Sequence, residues 1–216
     1  MRTEPIRSAA RRTAALLASV ALSTAFGSSA EPTAPTTEDV VERLHSELLV
    51  VMKGADTLGY QGRFEKLDPV VTETFDTRFM AEKSVGRYWK TLSDEQRQRL
   101  LATLGHYTVA NYAGRFDAWS GQAFETLRAE DSLAGTVLVH TRLVDPGNED
   151  IQLNYRLREL NGHWKIIDIY LNGTVSELAL RRSEYSALIK REGLTALFEA
   201  LDEKIAMLET GNSEAL

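Results

Sequence analysis

The spacing of hydrophobic positions along the chain changes twice. Between Val40 and Trp119, apolar residues recur every three to four positions, as on one face of a helix. From Phe124 to Leu171 they tend to alternate, as in strands with one buried face, and after Gly173 the helical spacing returns. This order predicts an α+β fold in which helices pack on an antiparallel β-meander sheet within a single domain.

Capping signals predict where the helices begin and end. Thr36 with Asp39, and Ser93 with Gln96, have the spacing of capping boxes, so a helix should begin at each pair. The helix that begins at Thr36 is expected to end near Gly54, and the helix that begins at Ser93 is expected to end near Gly121. Asp68-Pro69 resembles an N-cap followed by proline at the first helical position, which predicts another helix start.

Asp168 stands among apolar residues of a predicted strand. Asn161-Gly162 favours a type I′ hairpin, and counting outward from that two-residue loop places Asp168 opposite Tyr155 on the apolar face. An ionised carboxylate there needs hydrogen-bond donors. It is either an acid or base of an enzyme, or a structural carboxylate bonded to Arg, Tyr or a helix N-terminus. We favour the structural interpretation, because the sequence shows no nucleophile or second carboxylate nearby.

The N-terminus has the pattern of an export signal. Four arginines flank or precede an apolar run from Ala14 to Phe26, and Ser28-Ser29-Ala30 supplies small residues for cleavage. The run is shorter than the ~20 residues of a membrane-spanning helix. We therefore expect residues 1–30 to be a signal peptide and residues 31–216 to be the mature domain; an uncleaved membrane anchor is the alternative.

Composition and charge exclude several classes of function. The chain has no cysteine, so disulfides, thiol nucleophiles and thiolate metal sites are absent. Its net charge of −6 becomes −9 once residues 1–30 are removed, which disfavours nucleic acid as a partner. The four histidines have no metal-binding spacing, so neither a metal nor a cofactor is predicted: His45, His106, His140 and His163.

Two further stretches each allow two interpretations. Aromatic and Met residues recur from Phe75 to Trp89 without a cluster of acids, bases or nucleophiles. Their spacing alone is typical of a hydrophobic core, and a ligand cavity is the alternative. From Glu177 to Glu192 charges alternate in sign, which indicates a solvated helix face or a contact with a protein partner.

Several segments in this order resemble the MlaC, or toluene-tolerance, family of periplasmic phospholipid-binding proteins, and the resemblance covers nearly the whole mature chain: Phe75-Asp76-x-Arg78-Phe79-Met80, Gly86-Arg87-Tyr88-Trp89, Glu95-Gln96-Arg97, Tyr107, Tyr112, and Trp164-Lys165-Ile166-Ile167-Asp168. Thr174 is an insertion relative to the family pattern. The stretch Ser176-Glu177-Leu178-Ala179 looks more like the HpnM branch, which is associated with hopanoids.

The resemblance implies a periplasmic, monomeric lipid carrier without catalytic activity. Such a carrier holds the acyl chains of a phospholipid, or a hopanoid-type lipid, in a deep apolar pocket and moves them between inner- and outer-membrane transport complexes. Family position and apolar spacing together suggest these lining residues: Phe75, Phe79, Met80, Val85, Trp89, Leu101, Leu104, Tyr107, Tyr112, Val139, Leu153, Tyr155, Ile167 and Ile169.

Two other functions stay open at this point. One is an enzyme of a cone-shaped α+β fold that uses Asp168 with a His or Tyr. The other is an adaptor protein in hopanoid handling, whose core would be filled. An enzyme needs polar groups converging in its pocket, whereas a carrier needs an almost wholly apolar one.

Overall fold

The helices and strands follow the predicted order, which confirms the α+β fold. The computed structural model describes residues 34–211, so the predicted signal peptide lies outside the described residues. A 3₁₀ turn over Gly86–Thr91 follows the third helix. The α-helices and strands are α1 (Thr37–Lys53), α2 (Ala55–Thr74), α3 (Thr77–Val85), α4 (Asp94–Arg115), β1 (Ala123–Ser132), β2 (Thr136–Val144), β3 (Ile151–Leu160), β4 (His163–Leu171), β5 (Val175–Ser176), α5 (Glu177–Glu192) and α6 (Leu194–Glu209). A second 3₁₀ turn, Leu133–Gly135, connects β1 to β2.

Both predicted capping boxes are present, and the first helix ends at Gly54 as expected. Helix α4, which is capped by Ser93, ends at Arg115, earlier than the predicted end near Gly121. Phe116 leaves the helical conformation, and its ring lies 5.7 Å from that of Tyr112 and 6.0 Å from that of Phe124. Aromatic packing therefore accompanies the turn of the chain toward the sheet.

The helix start predicted at Asp68-Pro69 is wrong. Pro69 lies inside α2, and the helix is interrupted instead at Gly59, whose φ of 60° suits glycine. Proline inside a helix removes a backbone hydrogen bond and costs about 3 kcal/mol. The next two residues, Val70 and Val71, are buried in the core, and burial of such side chains offsets that cost.

The five strands form one antiparallel sheet in the order β1-β2-β3-β4-β5. The hairpin prediction is confirmed, because Asn161 and Gly162 have φ values of 52° and 81°. The predicted partner of Asp168 is wrong: Asp168 lies opposite Arg156. A β-bulge leaves Ile167 as an extra residue on β4, and this shifts the pairing beyond it by one position.

The burial of side chains along β3 is less regular than strict alternation predicts. Alternation along this strand predicts that Ile151 lies on its apolar face and Asn154 on its wet face. Asn154 is nevertheless buried, and its side-chain oxygen accepts a hydrogen bond of 3.3 Å from the backbone N–H of Thr141. Ile151, expected on the apolar face, is exposed. Both departures follow from tertiary packing, which strand periodicity does not contain.

Buried apolar side chains form two clusters. The sheet cluster joins β2, β3 and β4 to α1, α2, Met80 of α3 and the C-terminal half of α4. The helix cluster joins α3, α4, α5 and α6. Tyr60 and Phe64 pack against both clusters, so the two meet along α2 and α4. Among residues 34–211, no helix is long and apolar enough to span a membrane.

Candidate functional site

A small cavity marks a place where the two clusters meet, between α3, α4 and α5. Met80 in its wall belongs to the sheet cluster, and Leu104 belongs to the helix cluster. Its volume of about 10 Å³ holds about one water molecule. We call it the seam cavity; it is lined by Thr77, Met80, Ser84, Leu104, Thr108, Leu178 and Arg181.

Helical spacing brings these side chains together. Thr77, Met80 and Ser84 follow one another at three- and four-residue intervals on α3. Asp76 fixes the start of α3, because its carboxylate accepts a hydrogen bond of 2.9 Å from the backbone N–H of Phe79. The same carboxylate forms a 2.5 Å ion pair with Arg158. Helix α3 is thus attached to the sheet at its first turn.

Helices α4 and α5 supply the other walls of the seam cavity. Leu104 and Thr108 are four residues apart on α4, and Leu178 and Arg181 are three apart on α5. The Thr108 hydroxyl donates to the carbonyl of Leu104 at 2.8 Å. The hydroxyl of Ser84 likewise donates to a carbonyl of its own helix, at 2.9 Å. Both hydroxyl protons are therefore used locally.

Asp168 anchors the first turn of α5. Its carboxylate accepts hydrogen bonds from the backbone N–H groups of Ile169 at 2.8 Å and Leu178 at 3.0 Å. The hydroxyl of Ser176, which caps α5, donates to it at 2.6 Å. All three donors belong to β4 or to the start of α5. This is the helix N-terminus contact that the structural interpretation predicted.

An open groove of about 550 Å³ lies on the other side of Thr77, between α2 and α4. Gly105 contributes to it by lacking a side chain, since a Cβ there would meet only the Thr77 methyl, at 3.8 Å. Thr77 lines both spaces, so the seam cavity and the groove are neighbours. The groove is lined by Phe64, Asp68, Thr72, Thr77, Leu101, Ala102, Gly105 and His106.

A buried histidine lies in the sheet cluster, away from the seam cavity. His45 Nε2 is 3.1 Å from the Tyr155 hydroxyl oxygen, and its ring stacks on Phe124 with 4.0 Å between centroids. Burial lowers the pKa of His45 to about 3, so the imidazole is neutral at pH 7. This role of His45 was not predicted from the sequence. The burial of His45 could have been inferred from its position next to Leu44, on the apolar face of α1 that continues to Leu48.

The predicted lining residues are distributed over both clusters. Met80 and Leu104 line the seam cavity, and Leu101 lines the groove. Phe79 is half-buried, with the Arg158 guanidinium 4.5 Å from its ring centre, and Ile167 is buried at the bulge. The others pack in or against the sheet cluster (Phe75, Tyr112, Val139, Leu153, Tyr155, Ile169) or the helix cluster (Val85, Trp89, Tyr107).

Five residues of the seam cavity were not predicted: Thr77, Ser84, Thr108, Leu178 and Arg181. Four of them are polar or charged, so a search for apolar spacing passes over them. The three-residue interval from Leu178 to Arg181 could have indicated that both lie on one face of α5.

Between residues 34 and 211, no three His, Asp or Glu side chains come close enough to hold a metal ion.

Comparison with known proteins gives consistent results. A family model described as "MlaC protein" matches residues 42–203. The chain is 25% identical over 130 residues to the "Intermembrane phospholipid transport system binding protein MlaC" of Haemophilus influenzae. That match covers 58% of this chain and 60% of the relative, so the chain spans about three fifths of the length of this curated relative.

A solved structure shares the fold. It is a phospholipid-binding protein from Ralstonia solanacearum in complex with a phospholipid. The two structures superimpose with a TM-score of 0.70 at 23% sequence identity, over 81% of this chain and 99% of the other. At that identity the likeness establishes the architecture: six helices around a five-stranded antiparallel sheet.

Proposed function

Because the chain belongs to the MlaC family, we propose that it is a lipid carrier whose interior binds the acyl chains of a phospholipid or of a hopanoid-type lipid. The family match over residues 42–203 carries this proposal. That range includes every element that lines the seam cavity, namely α3, α4 and α5. The named binding activity of the Haemophilus and Ralstonia proteins supports the same ligand class.

The physical demand on such a carrier is a dry interior. Each methylene removed from water contributes about 0.8 kcal/mol, so one acyl chain gains on the order of 10 kcal/mol by entering an apolar site. The seam cavity has room for only about one water molecule, so the lipid enters as the two clusters separate there. Met80, Leu104 and Leu178 make the first apolar contacts. The other predicted lining residues form the deeper part of the pocket.

The proposal extends to location and partners. Residues 31–216 act in the periplasm as a monomer, exchanging lipid with inner- and outer-membrane transport complexes. No chemical step is part of this cycle. The hydrogen bonds that Asp168 accepts from Ile169, Ser176 and Leu178 support that reading, because they account for its burial without a substrate.

A pair of matched variants on α5 tests the carrier function. Leu178→Trp enlarges a half-buried side chain in the wall of the seam cavity, whereas Leu180→Trp makes the same change at an exposed position outside the cavity. The wild-type protein, exported and purified without detergent, should retain lipid detectable by native mass spectrometry. Leu178→Trp should lower the lipid-bound fraction several-fold, and Leu180→Trp should not.

Two results would contradict the proposal, the first its carrier function and the second its lipid entrance at the seam cavity. One is a wild-type protein that stays lipid-free after incubation with phospholipid vesicles and with hopanoid-containing vesicles. The other is equal lipid retention by the two variants and the wild type, when circular dichroism shows that all three are folded. The first result would favour the adaptor function, and the second would place the lipid elsewhere on the protein.

A further inference from the structure

The 3₁₀ turn after α3 carries two exposed cations on one side. Side chains three residues apart eclipse each other in a 3₁₀ helix, so Arg87 and Lys90 project from the same side of the turn. A third exposed cation, Arg182 of α5, lies beside the turn, with its Nε 3.4 Å from the point where Gly86 would carry a Cβ. These residues form one surface, which we call the turn surface: Arg87, Tyr88, Trp89, Lys90 and Arg182.

Two half-buried aromatic rings accompany the cations. The Tyr88 ring centre lies 5.0 Å from the guanidinium carbon of Arg87, whose Nη2 donates to the Tyr88 hydroxyl at 3.1 Å. The Trp89 ring centre lies 5.7 Å from the guanidinium carbon of Arg97, whose Nε donates to the Trp89 carbonyl at 3.3 Å. Tyr and Trp combine an apolar ring with a polar group, and they are enriched where proteins meet the headgroup layer of a bilayer.

The three cations of the turn surface have no carboxylate partners. Among residues 34–211, no carboxylate lies within ion-pair distance of Arg87, Lys90 or Arg182. Glu82, one turn before Gly86 on α3, is paired with Lys83 at 3.3 Å. The positive charges of the turn surface are therefore available to an external partner.

The acidic residues near these cations in sequence are paired or lie on other faces of their helices. The Asp94 carboxylate is bound by Arg97 at 2.9 Å. Glu95 is two residues from Arg97 on α4, and Glu184 is two residues from Arg182 on α5. Two residues correspond to about 200° around an α-helix, so each glutamate lies on the side of its helix away from the turn surface. The turn surface is thus cationic, although the net charge of the chain is −6.

The turn surface adjoins the seam cavity at two places. Ser84 lines the cavity and is followed two residues later by Gly86, which begins the 3₁₀ turn. Arg181 also lines the cavity, and its neighbour Arg182 belongs to the turn surface. A partner bound to the turn surface therefore lies next to the proposed lipid entrance.

We propose that the turn surface docks on the anionic headgroup layer of a bilayer, so that the protein exchanges lipid with the membrane directly. Charge complementarity carries this proposal, because each cation near an anionic membrane strengthens binding about fivefold. No large apolar side chain of the turn surface is exposed, whereas a protein interface needs an apolar core, so a bilayer suits this surface better than a folded partner. Docking itself does not depend on bound lipid; only its use in lipid exchange rests on the proposed carrier function.

Vesicle flotation measures docking separately from lipid binding, because a protein that only extracts a lipid remains in solution. The vesicles contain either phosphatidylcholine alone or phosphatidylcholine mixed with phosphatidylglycerol, with the same acyl chains. At low salt, the wild-type protein should bind the mixed vesicles at least tenfold more tightly than the phosphatidylcholine vesicles. Salt at about 0.5 M should release it, because exposed charges are then strongly screened.

The double variant Arg87→Gln/Lys90→Gln removes two cations of the turn surface and should weaken binding to the mixed vesicles at least tenfold. The matched control is Lys66→Gln/Arg115→Gln, which removes two exposed cations that also have no carboxylate partner among residues 34–211. Lys66 is on α2, and Arg115 is at the end of α4 farther from the turn surface. The control should bind like the wild type. If the double variant does not fold, Arg182→Gln replaces it, with an expected loss of about fivefold.

Four outcomes would overturn the inference. They are absence of wild-type binding to the mixed vesicles at low salt, equal binding to both kinds of vesicle, unchanged binding by the folded turn-surface variant, and an equal loss in the control. The first outcome would leave an acidic protein as the partner of the turn surface. Failure of the carrier function would look different, because native mass spectrometry would then show no retained lipid while flotation stayed intact.

Discussion

His45 is enclosed by Phe124 and Tyr155, and this environment favours the neutral imidazole. The hydrogen bond to Tyr155 satisfies one ring nitrogen without requiring a charge. Burial lowers the pKa of His45 in the folded protein to about 3, from 6.5 in the unfolded chain. Protonation at low pH therefore favours the unfolded state.

We predict that His45 makes stability depend on pH in the acidic range. The pKa of His45 is lower in the folded than in the unfolded protein, so neutral His45 contributes fully to the free energy of unfolding above about pH 6.5. This contribution is lost as the pH falls toward 3, by up to about 1.4 kcal/mol per pH unit. Urea unfolding at several pH values measures this. His45→Gln should flatten the dependence. His163→Gln, at an exposed position at the start of β4, serves as the control and should not. Parallel pH profiles for the wild type and His45→Gln would contradict the prediction.

Helix α4 contains two glycines whose surroundings differ. Gly114 faces α6, and a Cβ there would come within 2.9 Å of a methyl carbon of Leu208, which is 1% exposed. Gly105 faces Thr77 across the groove, with 3.8 Å to the nearest atom. The same residue type thus permits close helix packing at one position and leaves open space at the other.

The same substitution should have opposite effects at these two positions. Gly105→Ala should raise the free energy of unfolding by about 0.5–1 kcal/mol, because alanine favours the helix and meets only ordinary contact. Gly114→Ala gains the same preference, but the displacement of buried Leu208 should outweigh it, with overpacking costs of about 1–3 kcal/mol. Chemical denaturation measures both. A stabilised Gly114→Ala protein would show that α4 and α6 can move apart easily.

At the scale of the whole molecule, the elements around the seam cavity are held with unequal strength. The sheet cluster contains many fully buried side chains, whereas Tyr185 is the buried residue of α5. Segments with few buried apolar contacts open most readily. Under the proposed carrier function, helix α5, which is attached at its start through Asp168, is the element that we expect to move when a lipid enters.

We predict that hydrogen exchange will show this inequality. Backbone amides of α5 should exchange faster than those of α4, because α5 has fewer buried contacts. Loading with phospholipid should slow exchange in α3 and α5, and leave α1, which does not line the cavity, almost unchanged. Mass-spectrometric exchange on the lipid-free and loaded protein measures this. Equal protection of all helices on loading would contradict entry at the seam cavity.

The sequence by itself determined the features that depend on neighbours along the chain. The capping boxes at Thr36 and Ser93, the hairpin at Asn161-Gly162 and the order of helices and strands follow from local hydrogen bonding and side-chain periodicity. Periodicity also identified Met80 and Leu104 as apolar positions. It did not separate cavity walls from filled core, because both present the same spacing.

Only the tertiary structure decided the features that depend on contacts distant in sequence. The bulge at Ile167 shifts Asp168 to a position opposite Arg156, and packing of Val70 and Val71 keeps Pro69 inside α2. In the sequence, Arg181 is one of many charges of alternating sign. In the structure, α3 and α4 pack beside it, and it lines the seam cavity without a carboxylate partner among the described residues. The physical reason is that burial and pairing arise from three-dimensional neighbours, which a single sequence does not specify.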